Sequence, residues 1–203
     1  MTFSIQEALR FGWEKTKAHS RLLFQALLTL FALQVAYAMV TRVLEGSAYG
    51  VIAALAIGIA QFVVGVGFTV ITLKIAQGKH TEYQDILQPF EVLWKYALAN
   101  ILAGLIIIGG FILLIIPGIY LSLRLSMVRF AILDGEDVIK SLERSGELTR
   151  GVKWKLLGFL LLVGLINVVA AILFLLPLIV TIPVTMIAYA HVYQKLKAHH
   201  TKG

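Results

Sequence analysis

Two arginines interrupt an otherwise apolar segment of the chain. Segment 113–130 reads LLIIPGIYLSLRLSMVRF and contains Arg124 and Arg129 but no acidic residue. A guanidinium group pairs bidentately with phosphate or carboxylate. An unpaired charge at the centre of a bilayer costs about 3 kcal/mol even on the more lenient insertion scales. These cations must therefore either bind an anionic group or be accommodated by polar groups of the protein itself.

Three explanations for Arg124 remain open on the residues alone. Helical rise from a turn at Pro117 places Arg124 about 10 Å into the membrane, which is too deep for easy snorkelling. The guanidinium can bond to carbonyls that Pro117 leaves unpaired and to Gln and Asn side chains. The fourth span can instead sink toward the cytoplasm and place Arg124 in a water-filled vestibule. In the third explanation, Arg124 binds the phosphate of an anionic lipid or an anionic substrate.

The other candidate cations lie closer to the expected membrane surface. Arg129 is about one helical turn from Asp134, and we expect its long side chain to reach the cytoplasmic headgroups. Lys153 and Lys155 stand immediately before the predicted fifth span. Together with Arg124, these residues are the candidate ligand-binding or lipid-binding residues, and the expected partner is membrane lipid, above all anionic phospholipid.

The composition places the chain in the membrane class. Of its 203 residues, 59% are hydrophobic and 14% are charged, whereas soluble domains are roughly half apolar and a quarter charged. The absence of cysteine excludes disulfides, thiolate metal sites and cysteine nucleophiles. Residues 1–21 are polar and charged and lack the pattern of a cleavable signal, so we expect this segment to remain.

Apolar runs predict an all-α, polytopic membrane bundle of six transmembrane helices. A hydrocarbon core of about 30 Å needs about 20 apolar residues of helix. The runs that meet or approach this length are 22–40, 49–73, 96–116, 119–133, 156–176 and 178–193. The runs that cross Pro117 and Pro177 are too long for single spans, so we expect tight turns at these two prolines.

The distribution of positive charge predicts the orientation. Arg42, in the first short loop, is the only one of the 18 Lys and Arg residues that falls on the opposite side from the others. The positive-inside rule places both termini and both long loops in the cytoplasm of a prokaryotic inner membrane. The net charge of +7 therefore reflects topology, and we expect no nucleic-acid partner.

An internal repeat divides the chain into three parallel units. Trp94 recurs as Trp154, Gly104 as Gly164 and Pro117 as Pro177, all at one constant offset. The chain is predicted to be a single integral membrane domain, residues 1–203, with units at about 1–76, 77–133 and 134–198 and a tail at 199–203. Each unit is an amphipathic interfacial helix followed by a membrane hairpin.

The starts of the three amphipathic helices have recognisable caps. Ser4 and Glu7 stand at capping-box spacing, and a similar pattern begins at Thr81. Asp134 can cap the third helix. We therefore expect three comparable helices at the membrane surface.

Segment 116–158 carries a resemblance to a known group of proteins. The matching elements are Pro117-Gly118, Arg124, the turn at Asp134, Ser141, Ser145, the run 148–151 and Trp154. These elements resemble a signature of uncharacterised prokaryotic six-helix membrane proteins, the YciC-like family and related domains of unknown function grouped with the glycerophosphoryl diester phosphodiesterase membrane domain. The resemblance implies a polytopic membrane protein without an assigned activity. A fused phosphodiesterase barrel, which some relatives carry, needs about 250 residues, and the chain has no room for one.

The sequence offers no catalytic constellation. All the acidic residues lie outside the predicted spans, and His191 has no partner at metal-ligand spacing. We expect no enzyme, no cofactor and no metal. The predicted function is a non-enzymatic inner-membrane protein that binds anionic lipid or a membrane partner through basic interfacial helices and Arg124. The alternative is a small carrier or channel for an anionic or amphipathic solute, and a homo-oligomer or a membrane-protein partner stays open.

Overall fold

Helices form all the regular structure in the part of the chain that the computed structural model describes, residues 3–88, 90–173 and 177–200. In chain order they are α1 Ile5–Ala18, α2 Ser20–Val43, α3 Ala48–Ala76, α4 Phe90–Leu113, α5 Ile115–Arg124, α6 Val128–Leu133, α7 Val138–Leu148, α8 Lys153–Ile172 and α9 Leu178–His200. A short 3-10 turn, Tyr83–Ile86, lies between α3 and α4. The predicted all-helical class is confirmed.

Five helical segments within the described residues are long and apolar enough to cross a membrane. They are α2, α3, α4, the α5–α6 segment Ile115–Leu133, and α8. The sixth predicted span is a helix, α9, but it ends in Lys195, Lys197 and two histidines and does not belong to this set. The chain is thus compatible with a membrane protein, and six spans remain a prediction.

The first tight turn lies before Pro117, the residue at which it was predicted. Leu114, with φ −167° and ψ 157°, separates α4 from α5. Pro117 lies in the first turn of α5, where a missing N–H removes no intrahelical hydrogen bond. The predicted position of this turn was therefore wrong by three residues, because proline starts the second helix and does not form the corner. The second predicted turn falls partly on residues 174–176, outside the described residues, and Pro177 directly precedes α9.

Polar contacts join several helices at the end of the bundle that contains Gln77, Asp134, Tyr193 and Lys197, and we call this end the basic end. Asp134 ends α6, and its carboxylate accepts hydrogen bonds from Gln77 at 2.9 Å, from Tyr193 at 3.0 Å and from Lys197. These partners lie at the end of α3 and in the last part of α9. The prediction that Asp134 caps the third amphipathic helix was wrong, because Asp137 precedes α7 and makes no side-chain cap there.

The other two predicted caps have different outcomes. Ser4 accepts a hydrogen bond from the backbone N–H of Glu7 at 3.5 Å and begins α1 as expected. The pattern at Thr81 leads only into the 3-10 turn, so the second amphipathic helix was predicted wrongly. A Cβ atom on Gly67 of α3 would lie 2.0 Å from the carbonyl oxygen of Ile86, so the turn packs directly on the α3 backbone.

A carboxylate stabilises this turn from within. Asp85 accepts hydrogen bonds from Lys74 at 2.6 Å, from Thr81 at 3.1 Å and from the Glu82 amide at 3.0 Å. Burial raises the pKa of the Asp85 carboxyl, but the hydrogen bonds from Lys74, the Glu82 amide and Thr81 outweigh it, so its pKa lies below the ordinary value. The ion pair with Lys74 attaches the turn to the end of α3.

The last helix lies at the centre of the basic end. α9 packs most extensively against α1 and α3, and less against α8, its expected hairpin partner. The approach of α1 is close, because a Cβ atom on Gly12 would lie 2.3 Å from the carbonyl oxygen of Val184. The third hairpin thus packs differently from α2–α3 and α4–α5, and the internal repeat stays a prediction.

Candidate anion-binding site

Arg124 is the last residue of α5, at a break in the fourth predicted span. α5 ends at Arg124 and α6 begins at Val128, whereas one continuous helix was expected. The Arg124 carbonyl accepts hydrogen bonds from Ser145 Oγ at 2.7 Å and from Thr149 Oγ1 at 3.4 Å. On the far side of the break, the Met127 N–H donates to Ser145 Oγ at 3.1 Å. Ser145 therefore bridges the two helices that the break separates.

Two of the buried hydroxyl groups along one side of α7, those of Ser145 and Thr149, bond to the backbone at this break. Ser141, Ser145 and Thr149 recur every four residues and are fully buried. Helix ends leave backbone groups unpaired, and such groups are costly where water is absent. The amphipathic α7 was expected to lie on the membrane surface, but its hydroxyl side packs into the bundle and supplies the missing partners.

A glycine of the same helix makes room for the Arg124 side chain. A Cβ atom on Gly146 would lie 2.9 Å from Arg124 Nε. The Arg124 side chain therefore crosses the surface of α7 and remains exposed beyond it. Packing on Gly146 fixes the base of the side chain, while its guanidinium remains accessible.

Two further cations join Arg124 from a different part of the chain. Lys153 is the first residue of α8, and its Nζ lies 3.7 Å from the centroid of the Tyr120 ring. The charges of Lys153, Arg124 and Arg150 all act on the Tyr120 hydroxyl. Arg150 lies in the turn between α7 and α8, directly before Gly151, whose φ is +81°. We call Arg124, Arg150 and Lys153 the basic cluster.

None of the three cations of the basic cluster forms an ion pair with a carboxylate in residues 3–88, 90–173 and 177–200. Ion pairs in those ranges involve other cations, such as Arg144 with Glu147 and Lys95 with Asp137. The Arg124 guanidinium likewise makes no hydrogen bond to a described residue. The positive charge of the basic cluster therefore has no carboxylate partner among the residues that the structure describes.

The amides that were candidates to neutralise Arg124 are engaged elsewhere. Asn100 donates to the Tyr96 carbonyl at 2.8 Å, and Asn167 donates to the Val163 carbonyl at 3.0 Å. Both bonds lie within their own helices. The structure therefore does not show the Arg124 guanidinium bonded to these amides, which was one of the three explanations for this residue.

The remaining candidate residues lie apart from the basic cluster. The Arg129 guanidinium lies 5.7 Å from the centroid of the Tyr189 ring, and Lys155 Nζ lies 5.3 Å from that of Phe3. Of the four candidate residues, the structure brings together Arg124 and Lys153. Arg150 was missed as a candidate, although it lies in the same signature segment, three residues before Lys153.

Exposed apolar side chains lie next to the basic cluster along the chain. Ile116 and Trp154 are 81% and 86% exposed, and Ile119 and Tyr120 are also exposed. Ile116, Ile119 and Tyr120 belong to α5, and Trp154 follows Lys153 in α8. The site therefore combines cations with an apolar surface, as the border between headgroups and acyl chains does.

Of two cavities, the larger differs in character from this site and the smaller shares Arg150 with it. An open groove of about 540 Å³ lies between α2 and α3 and is lined by apolar and small residues, among them Leu55, Gly58 and Phe62. A smaller cavity of about 170 Å³ is lined by Arg150, Val152, Leu196, His199 and His200. Among the described residues, no group of three or more His, Cys, Asp or Glu side chains could hold a metal ion.

In comparisons with known proteins, no family model, no curated protein and no solved structure matches the chain. The resemblance of segment 116–158 to uncharacterised six-helix membrane proteins is thus still a prediction. Function has to be argued from the site itself.

Proposed function

We propose that this protein is a non-enzymatic integral membrane protein that binds the headgroup of an anionic phospholipid at the basic cluster. The observation that carries the proposal is that Arg124 packs on Gly146 of α7, Lys153 lies over the Tyr120 ring of α5, and Arg150 lies in the turn between α7 and α8. None of these three cations has a carboxylate partner among the described residues. Anionic phosphate is the group that such cations bind best in proteins.

The location of the cluster supports a lipid as the source of the phosphate. Lys153 begins one apolar segment, and Arg124 lies at the break inside another, Ile115–Leu133. With both termini in the cytoplasm of a prokaryotic inner membrane, as the charge distribution predicts, the cluster faces the cytoplasmic leaflet. A lipid can then place its phosphate at the cluster and its acyl chains against exposed residues such as Ile116 and Trp154.

The carrier alternative has less support. A carrier for an anionic solute needs a polar route to Arg124, and the 540 Å³ groove between α2 and α3 is lined by apolar residues and contains no candidate cation. Exposure of the Arg124 side chain on the surface, and not in an enclosed passage, favours lateral access from the membrane.

Lipid titration with matched variants tests the proposal. Purified protein is titrated with phosphatidylglycerol or with zwitterionic phosphatidylethanolamine, and bound lipid is counted by native mass spectrometry. We expect Arg124→Gln and Lys153→Gln each to weaken binding of phosphatidylglycerol about fivefold, because one cation near a lipid surface contributes about 1 kcal/mol.

The control is Lys155→Gln, which removes the same charge two residues later on α8. Lys155 lies by Phe3, so its loss is expected to change binding less than twofold if the site is local. Equal losses of phosphatidylglycerol binding in all three variants would indicate non-specific attraction by net charge and would contradict a local binding site. Unchanged retention in Arg124→Gln would do the same.

A further inference from the structure

The basic cluster carries more positive charge than one ordinary phospholipid headgroup can neutralise. Arg124 ends α5 against Gly146 of α7, Arg150 lies in the turn after α7, and Lys153 begins α8 over the Tyr120 ring of α5. A phosphodiester headgroup contributes one negative charge. Such a lipid would leave about two positive charges unpaired beside an apolar surface, where charges interact strongly.

The parts of the cluster are held in position before any ligand binds. Hydrogen bonds from Ser145 and Thr149 fix the end of α5 at Arg124, and Gly151, with φ +81°, sets the turn that follows Arg150. Lys153 lies over the Tyr120 ring at 3.7 Å. Cations whose backbone positions are fixed and that approach from several directions favour a compact ligand with several acceptor oxygens.

A phosphomonoester has the required charge and shape. Its phosphate carries about −1.5 to −2 charges at pH 7, with a second pKa of about 6, and presents three terminal oxygens. We propose that the basic cluster selects a phosphomonoester headgroup, of the phosphatidic acid kind, over phosphodiester headgroups. This inference rests on the proposed function and names the ligand class of the same site.

The experiment compares two anionic lipids in the same protein. Phosphatidic acid and phosphatidylglycerol are titrated separately into wild-type protein at pH 8 and at pH 5.5, with phosphatidylethanolamine as the neutral reference. We expect phosphatidic acid to bind at least about fivefold more tightly than phosphatidylglycerol at pH 8. The preference is expected to fall below about twofold at pH 5.5, because the second proton then returns to the phosphate.

The ratio of the affinities for phosphatidic acid and phosphatidylglycerol separates protonation of the lipid phosphate from any change in the charge of the protein. His199 and His200 line a cavity with Arg150. Added positive charge on the protein strengthens binding of both anionic lipids, so it cannot by itself remove a preference for one of them.

Arg150→Gln is the informative variant, with Lys155→Gln again as the matched control. We expect Arg150→Gln to reduce the preference for phosphatidic acid and Lys155→Gln to leave it within twofold of wild type. An unchanged preference in Arg150→Gln counts against the cluster as its origin. If Arg150→Gln does not fold, as judged by its melting profile, Lys153→Gln replaces it.

The outcomes separate this inference from the proposed function. Equal binding of the two anionic lipids, both tighter than phosphatidylethanolamine, overturns the phosphomonoester preference and leaves the proposed function standing. No preference for either anionic lipid overturns both. Thermal stabilisation by inorganic phosphate without added lipid, lost in Arg150→Gln, supports the same chemistry and assigns a soluble phosphate ester as its source.

Discussion

The two halves of α3 differ sharply in how they pack. From Val64 to Ile75, toward the basic end, nearly every residue is buried against α9, α2 or the 3-10 turn. In the other half, Val51, Ile52, Leu55 and Ile59 are between 61% and 65% exposed. The same apolar helix is therefore a core element at one end and a free surface at the other.

This difference shows which end of the bundle contains most of the specific contacts between helices. Between apolar helices in lipid there is no hydrophobic driving force, so close packing and hydrogen bonds must hold them together. Both are concentrated at the basic end, where Asp134 joins α3, α6 and α9. At the opposite end α2 and α3 leave an open groove of about 540 Å³.

The largest expected effect comes from adding one methyl group at the basic end of α3. Gly67→Ala places a Cβ atom 2.0 Å from the Ile86 carbonyl oxygen, and backbone must move to accept it. We expect a loss of about 3 kcal/mol in the free energy of unfolding, measured by denaturing detergent titration of the purified protein.

Gly58→Ala is the matched substitution in the exposed half of the same helix. No atom outside the helix lies within 4 Å of a Cβ at Gly58, so better helix propensity should stabilise the protein by up to about 1 kcal/mol. Equal losses at Gly67 and Gly58 would contradict the division of α3 into a packed and a free half.

A smaller effect is expected from the carboxylate that joins the helices of the basic end. Asp134→Ala removes the acceptor for Gln77, Tyr193 and Lys197 and leaves the buried Tyr193 hydroxyl without that partner. The expected loss is about 2 kcal/mol in the free energy of unfolding, since hydrogen bonds to a charged group are the stronger ones.

Asp137→Ala provides the comparison for Asp134 three residues later. The Asp134 side chain is 11% exposed and that of Asp137 is 67% exposed. An exposed ion pair contributes less than about 1 kcal/mol. Detergent titration of both variants should give a clearly larger loss for Asp134→Ala, and the reverse order would refute its role as the central contact.

The smallest effect is expected near the middle of the bundle. Gln61 Nε2 donates to Gln34 Oε1 at 3.1 Å between α3 and α2. Interhelical hydrogen bonds in membranes average about 0.6 kcal/mol, so Gln61→Leu should change stability by about that amount. A loss above 2 kcal/mol would show that the packed region extends further from the basic end than the burial indicates.

Periodic and compositional signals predicted the elements well and their junctions poorly. The long apolar runs became α2, α3, α4 and α8, and Ser4 is the N-cap of α1. The corner before Pro117 was misplaced, because a proline is compatible with the first turn of a helix as well as with a loop. The break after Arg124 carries no glycine or proline signal, since hydroxyl groups of α7 stabilise it from outside.

Two of the three cations of the basic cluster were predicted as candidates, and the third was missed. Arg124 stands out because a charge inside an apolar segment is unusual, and Lys153 because it stands directly before the predicted fifth span. Arg150 does not stand out, because one arginine in a basic loop resembles any other. Its grouping with Arg124 depends on how α7 folds back on the end of α5, and no spacing in the sequence encodes that approach.

The sequence by itself determined that the chain is helical and that it has several segments able to cross a membrane, and it predicts that nearly all the positive charge lies on one side. These properties follow from local composition, because hydropathy and charge act on each segment separately. Only the tertiary structure decided which polar groups meet. Asp134 became a contact between three helices instead of a cap, and Arg124, Arg150 and Lys153 became one cluster. These contacts depend on packing between segments that are far apart in the chain. The physical reason is that a buried polar group must form a hydrogen bond, and the packed backbone decides which partners lie within bonding distance.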